Sequence, residues 1–275
     1  MTTRLNIFIF TMAISGLTTC KLKEDIEVRD DFKKFYDTYE VDGSFSLYDE
    51  RHDQYILYHQ DQFVQAFIPA STFKICNSLI GLETGVIPDE HFVIPWDSVT
   101  RNPVWDMDHD LRTAFRNSTV WYYQELARQV GGGRMKYWLD KANYANADTS
   151  GGIDQFWLTG GLRITPGQQI DFLKRLHDNK LPFSQRSMDI VKDIMIVKDT
   201  LDYVIRAKLG WGGQGDKDIG WYVGYLETKD NVYYFANCIQ TESSKLNDTE
   251  HAIQFDHARR DITFQILDEL KLTSQ

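Results

Sequence analysis

The chain has 275 residues, 42% of them hydrophobic, enough to bury a substantial core in one large domain or two interleaved subdomains, so a disordered chain is excluded. With 40 acidic against 30 basic residues the net charge is −10, and no Lys/Arg-rich run makes a local exception. A phosphate backbone would be repelled, and no nucleic-acid partner is expected.

Residues 1–20 read as an export signal: Arg4 supplies the positive n-region, Leu5 to Ile14 a short apolar run and Gly16 to Cys20 a cleavage region. The run is too short to span a bilayer. Leu17-Thr-Thr-Cys20 resembles a bacterial lipobox, with Thr19 where Gly, Ala or Ser is usual, so Cys20 is either lipidated or lost by ordinary cleavage. On both readings the mature chain is periplasmic or exported, and a lipid on Cys20 is the only membrane attachment expected. Cys76 and Cys238 then remain, read as small buried hydrophobes.

A polar, mobile stretch is expected from Lys21 to about Asp37. Gly43 to Tyr48 and Tyr55 to His59 alternate like the strands of a hairpin, with Asp49 to Gln54 as the turn. Phe67 to Gly85 carries apolar residues at helical spacing, with Pro69 in the first turn and Gly85 as the stop. Helical patterns follow from Asp110 to Val130 and from Arg134 to Lys141, broken at Gly131-Gly-Gly133. Pro166 to Asp178 predicts an amphipathic helix capped by Thr165, and Ser187 to Lys198 another. From Tyr203 the chain turns β-rich: runs starting at Tyr203, Gly220 and Val232 predict an antiparallel meander, and Ile262 to Leu272 a last helix. Strands at both ends with helices between predict an α+β fold. Residues 21–65 and 200–275 would form the sheet domain and 66–199 a mostly helical domain, with a cleft at the junction.

Within the helix from Phe67, Ser71 and Lys74 stand at i and i+3, on one face, where an amine freed of its charge by apolar neighbours could take a serine proton. A lone S-x-x-K is more often a helix start beside a solvated lysine, so the pair needs corroboration. Gly210-Trp-Gly-Gly-Gln-Gly215 matches G-x-G-x-x-G but leads into a strand, so it reads as a hairpin turn and not as a dinucleotide loop. Asp106-Met-Asp-His-Asp110 lacks the central Gly and final Glu of a calcium loop and reads as a helix-capping turn. His251 and His257 have no C-x-x-C companion, so no metal site is expected. None of the histidines pairs with Ser71 as a triad base. A serine enzyme here would have to use lysine.

Three more segments carry polar groups: Ser118-Thr-Val120 at a helix start, Tyr144-Ala-Asn146 with Phe156-Trp-Leu158, and Lys208-Leu-Gly210 at the end of a β-run. Each alone is ordinary cap, core or strand-end material. In the order S-x-x-K, S-x-V, Y-x-N with F-W-L, K-x-G, they resemble the class D serine β-lactamases, with further likeness at Gly81-Leu-Glu-Thr-Gly85, Leu162-Arg-Ile-Thr165 and Gly220-Trp-Tyr-Val-Gly-Tyr225. The resemblance runs from about Gly43 to Leu270. It implies the β-lactamase/penicillin-binding transpeptidase-like fold, with Ser71 as the acylated nucleophile and Lys74 as a base carboxylated by CO2, with no metal or other cofactor. By the same likeness Ser118 passes a proton to the lactam nitrogen, Lys208 holds Ser118 and substrate electrostatically, and Trp157 hydrogen-bonds the carbamate. Val120 forms an apolar wall, the Ser71 and Trp211 N–H groups an oxyanion hole beside Gly210, Trp105 the rim, and Arg259 of R-x-x-I-T the substrate-carboxylate site.

Two positions depart from the pattern. Ala145 stands for the usual Gly of Y-G-N and is expected to matter little if its φ is negative. Leu209 stands for the usual hydroxyl of K-T/S-G, which should throw carboxylate recognition onto Arg259. The alternatives are a β-lactam-sensing penicillin-binding domain, which stops at the acyl-enzyme and normally sits behind transmembrane segments not found here, and a D,D-peptidase. The oligomeric state is left open.

Overall fold

The strand-like runs at the two ends of the chain need each other's backbone groups, and they meet in one seven-stranded sheet. In the computed structural model, which describes residues 25–273, the export signal and Cys20 lie outside the described residues. In chain order the elements are β1 (Asp25–Val28), α1 (Lys33–Thr38), β2 (Asp42–Asp49), β3 (Gln54–Tyr58), α2 (Lys74–Glu83), α3 (Leu111–Arg116), α4 (Val120–Val130) and α5 (Gly132–Lys141). Then come α6 (Pro166–His177), α7 (Gln185–Ile194), β4 (Ile196–Asp199), β5 (Tyr203–Gln214), β6 (Lys217–Thr228), β7 (Val232–Glu242) and α8 (Thr249–Glu269). The sheet order is β1-β3-β2-β7-β6-β5-β4, antiparallel except where β1 lies parallel to β3.

Alternation along β6 explains the two cores. Trp221, Val223 and Tyr225 point into the core under the helices, whereas Tyr222 and Leu226 point into a second core beneath α8 and α1. Both faces are covered, so β6 is buried almost throughout. The central helix α2 is buried on every side from Lys74 to Leu82, packed against α4 and α7. Enclosure on every side takes even its polar residues Lys74, Asn77 and Ser78 out of solvent. Helix α6 lies against β7 and β6, its start fixed by the predicted Thr165, whose hydroxyl accepts from Gln168 N in a reciprocal capping box. Cys76 and Cys238 are buried and free.

Several elements differ from expectation, each for a tertiary reason. The described part of the polar leading stretch is ordered: Phe32 and Tyr36 are buried against the sheet, and the Tyr36 hydroxyl donates to Asn237 Oδ1 at 2.8 Å. The pattern from Asp110 to Val130 is two helices, interrupted because Ser118 adopts a left-handed φ of 54°. The helix expected to reach Lys198 ends at Ile194, and Ile196 to Asp199 instead become an edge strand on β5. Gly210, Gly212 and Gly213 belong to β5 itself, with the turn displaced to Gly215-Asp216. The last helix begins at Thr249, capped by Asp248, which puts Arg259 in its middle and not at its start.

Ala145 is the sharpest correction. Its φ is +55°, not negative, in a loop tied down by Asn146, whose Oδ1 accepts from Arg163 N at 3.0 Å. An alanine held there carries strain that glycine would not. Ala145→Gly should therefore raise stability by about 0.5–1 kcal/mol, read as a rise in Tm of ~1–4 °C by calorimetry. A fall in Tm would show that unfolded-state entropy outweighs the strain.

Candidate active site

The site is built where the Phe67–Phe73 segment runs between β5 and the helices. Phe67 pairs with Ile164 as an isolated bridge, the Trp221 indole donates to Ile68 O at 2.8 Å, and Gln214 Oε1 accepts from Ile68 N at 2.7 Å. Ala70 to Phe73 form a 3-10 turn that leads into α2, with Ala70 in a left-handed conformation (φ 46°) immediately before Ser71. Thr72 Oγ1 donates to Pro69 O at 2.8 Å and accepts from Gln169 at 2.9 Å, which pins the turn from both sides. Gly210 lets β5 approach: a Cβ there would meet Pro69 O and Thr72 Cγ2 at 3.0 Å. Strained non-glycine backbone held by such anchors is a feature of functional sites.

Ser71 thus lies in the turn and Lys74 at the first position of α2, with Oγ and Nζ 2.6 Å apart. The lysine is wholly buried, and its Nζ lies 5.2 Å from the Tyr123 ring centroid. Burial, and secondarily the charge of Lys208, drive its pKa well below the ordinary range. Burial therefore favours the neutral amine, the form that can accept the serine proton. Trp157 packs on Phe73 with the rings tilted by 36° and their centroids 5.2 Å apart. Its indole N–H is buried without a partner among the described residues. A buried donor left unpaired is costly, and it marks where an acceptor would be welcome.

Ser118 is not a helix cap. Its left-handed backbone turns the hydroxyl toward β5, where Lys208 Nζ donates to Oγ at 3.1 Å. Lys208 is 5% exposed, and burial, then Arg259, pull its pKa from 10.5 to about 7. Ser71, Ser118, Val120, Lys208, Gly210, Trp211, Arg259 and, at the rim, Trp105 all line one cleft of about 420 Å³. Trp105 is held there by its indole, which donates to Asn117 O at 3.0 Å. Trp157 does not line the cleft; it is buried beneath it.

The structure adds residues that sequence reasoning missed. Gly220, opposite Trp211 on β6, leaves room for the Arg259 stem, since a Cβ there would meet its Cγ at 2.8 Å. Arg259 Nη1 donates to Gly210 O at 3.0 Å, and burial lowers its pKa to about 10, so it stays charged at neutral pH. Arg116 and Asp256 also line the cleft. A second cavity, of about 470 Å³, lies on the far side of Lys208 and Leu209 and contains no nucleophile. Glu50, His177 and Asp178 could together hold a cation by proximity, but Tyr234 and Lys180 already donate to the two carboxylates.

A buried serine–lysine pair where a 3-10 turn runs into a central helix, faced by a second serine and a strand-borne lysine, is in keeping with the penicillin-binding transpeptidase class. The family model described as the penicillin binding protein transpeptidase domain matches residues 37–255. Within that class the chain belongs to the class D β-lactamases. It is 48% identical to β-lactamase OXA-48 of Klebsiella pneumoniae over 70% of this chain and 74% of the relative. A solved class D β-lactamase from Sebaldella termitidis superposes with a TM-score of 0.85 at 36% identity, covering 92% of this chain and 100% of that one. The regulatory protein BlaR1 of Bacillus licheniformis is 35% identical over 78% of this chain and 36% of its own length.

The buried lysines make a testable statement about stability. Between the folded value of about 7 and 10.5 the unfolded chain binds the proton that Lys208 has released, so this group makes stability rise with pH across that window. Lys74 acts with the same sign. In CO2-depleted buffer Lys74→Met should thus stabilise the fold, by about 1–3 kcal/mol, while abolishing activity. The gain should be largest on the acid side and shrink as pH rises toward 10.5, measured by urea denaturation. A variant less stable than the parent at pH 7 would mean that the amine is not buried neutral.

Proposed function

We propose that the protein hydrolyses β-lactam antibiotics through an acyl-enzyme on Ser71, with Lys74 in its carboxylated form as the general base. The observation that carries this is the 2.6 Å contact between Ser71 and the wholly buried Lys74, with the unpaired N–H of Trp157, whose ring packs on the adjacent Phe73. A neutral amine can capture CO2, and the carbamate that forms supplies an anionic base near neutral pH whose oxygens would suit the orphan indole.

The chain's own residues then act as follows. Ser71 Oγ gives its proton to the base at Lys74 and attacks the lactam carbonyl, whose oxygen is held by the backbone N–H groups of Ser71 and Trp211. As the C–N bond breaks, Ser118 Oγ donates its proton to the lactam nitrogen and takes up the one the base at Lys74 removed from Ser71, which frees that base, with Lys208 beside Ser118 stabilising the charge. The base at Lys74 next deprotonates a water that attacks the ester, and Ser71 is released. Arg259 pairs with the substrate carboxylate, a charge-assisted contact that a guanidinium can make with two bonds. Val120 and Trp105 exclude water from the rim. Residues 1–20 support export, with Cys20 as the lipid attachment if the signal is of the lipoprotein kind.

Nitrocefin or benzylpenicillin hydrolysis tests the reading. Ser71→Ala should abolish turnover and covalent labelling, and retained acylation would overturn the assignment. Activity lost in acidic, CO2-depleted buffer should return on adding bicarbonate. Trp157→Phe should need more bicarbonate for half-maximal recovery, and indifference to bicarbonate would argue for an unmodified lysine. The likeness to BlaR1 supports a second reading, a sensor that acylates without turnover. Mass spectrometry would show its Ser71 adduct persisting after free drug is gone, whereas a hydrolase clears it.

A further inference from the structure

The guanidinium assigned to the substrate carboxylate already has a carboxylate beside it. Arg259 and Asp256 stand at i and i+3 on α8 and both line the cleft with Ser71. Arg259 Nη2 donates to Asp256 Oδ1, and Nε donates to Asp256 O at 3.1 Å. The two side chains are unequally free. Arg259 is 6% exposed, tied to Gly210 O, seated over Gly220 and set against the Trp211 ring at 5.4 Å. Asp256 is 51% exposed, and its carboxylate makes no other hydrogen bond among the described residues. The arginine is a fixed electrode and the aspartate a movable counter-ion. Leu209, which lines the same cleft, offers no hydroxyl as a second donor.

We propose that Asp256 is a specificity-determining residue, whose carboxylate competes with that of the substrate for Arg259 and favours β-lactams that carry a cation next to their carboxylate. This rests on the reading that Arg259 holds the substrate carboxylate. A purely anionic substrate must either displace Asp256 into solvent or share the guanidinium with it, and like charges side by side lower affinity. A zwitterionic substrate brings its own cation to the place where two carboxylates meet. It loses less to Asp256 and can pair with it.

Cephalothin and cephaloridine make the test, because they share the 7-acyl group and differ at the C3′ position, acetoxy in one and pyridinium in the other, next to the C4 carboxylate. Asp256→Asn, which keeps shape and removes charge, should lower KM for cephalothin about three- to tenfold, leave KM for cephaloridine unchanged or raised, and lose its effect in high salt. A neutral Asp256→Ser should move the ratio in the same direction. An equal change for both substrates would overturn the proposal, and a rise in KM for both would show that Asp256 only positions Arg259. Arg259→Ala separates the two levels of inference by raising KM for both drugs. If it changes neither, the carboxylate is held elsewhere and the underlying reading falls with the proposal. If it raises both while Asp256→Asn fails to discriminate, the proposal alone falls.

Discussion

At the start of α2 an amine has been taken wholly out of water, and much of the structure around it is what makes that burial tolerable and useful. Desolvation of Lys74 is costly for the charged form, so the group deprotonates instead of bringing a counter-ion into the core. The cost falls on stability and the gain on reactivity: a lysine that would be inert as an ammonium becomes a base 2.6 Å from a serine. Helix α2 can hold it only because the helix is enclosed on all sides, and the enclosure needs both the sheet and the helices between its two halves.

Strain and close approach place the partners. Ala70 and Ser118 both sit in left-handed conformations, one just before Ser71, the other facing Lys208 across the cleft. Neither would persist without its surroundings: the Pro69–Thr72–Gln169 hydrogen bonds around the first, and Lys208 reaching the second from β5. Gly210 and Gly220 serve the same purpose by absence. One lets the strand touch the Ser71 turn, and the other gives Arg259 a channel across the sheet. Ala145, by contrast, carries left-handed backbone where a glycine would be easier, so strain is not confined to the cleft.

Electrostatically the cleft opposes the molecule. The chain carries a net charge of −10, yet Lys208, Arg259 and Arg116 line the cleft together, with Asp256 as the only acidic side chain among its lining residues. These basic groups make the cleft locally less negative than the chain as a whole, while Asp256 moderates the field beside Arg259. Such an arrangement can tune which anion is accepted without touching the reacting atoms.

That Ser71 and Lys74 share one side of a turn was legible from their i and i+3 spacing, but the pair took on meaning only beside the other segments in their order, since a lone S-x-x-K is common. The meander was legible too, since β6 and β7, covered on both faces, read as near-continuous β-branched and aromatic runs between turn residues. The long α8 was read short because its first turns bury only Phe255 and Ala258 before Arg259, too sparse a stripe to signal a helix. The strand β4 was read as helix because its four residues, mostly exposed at the sheet edge, are too few to show a period of their own, and pairing across the short hairpin to β5 decides their conformation. The same holds for the site. Sequence determined which residue types were present and in what order; tertiary structure decided that Lys74 is dry, that Ser118 faces Lys208, that Trp157 keeps an unpaired donor and that Asp256 meets Arg259. Burial and charge proximity are properties of the packed whole, and they are what convert common side chains into a reactive site.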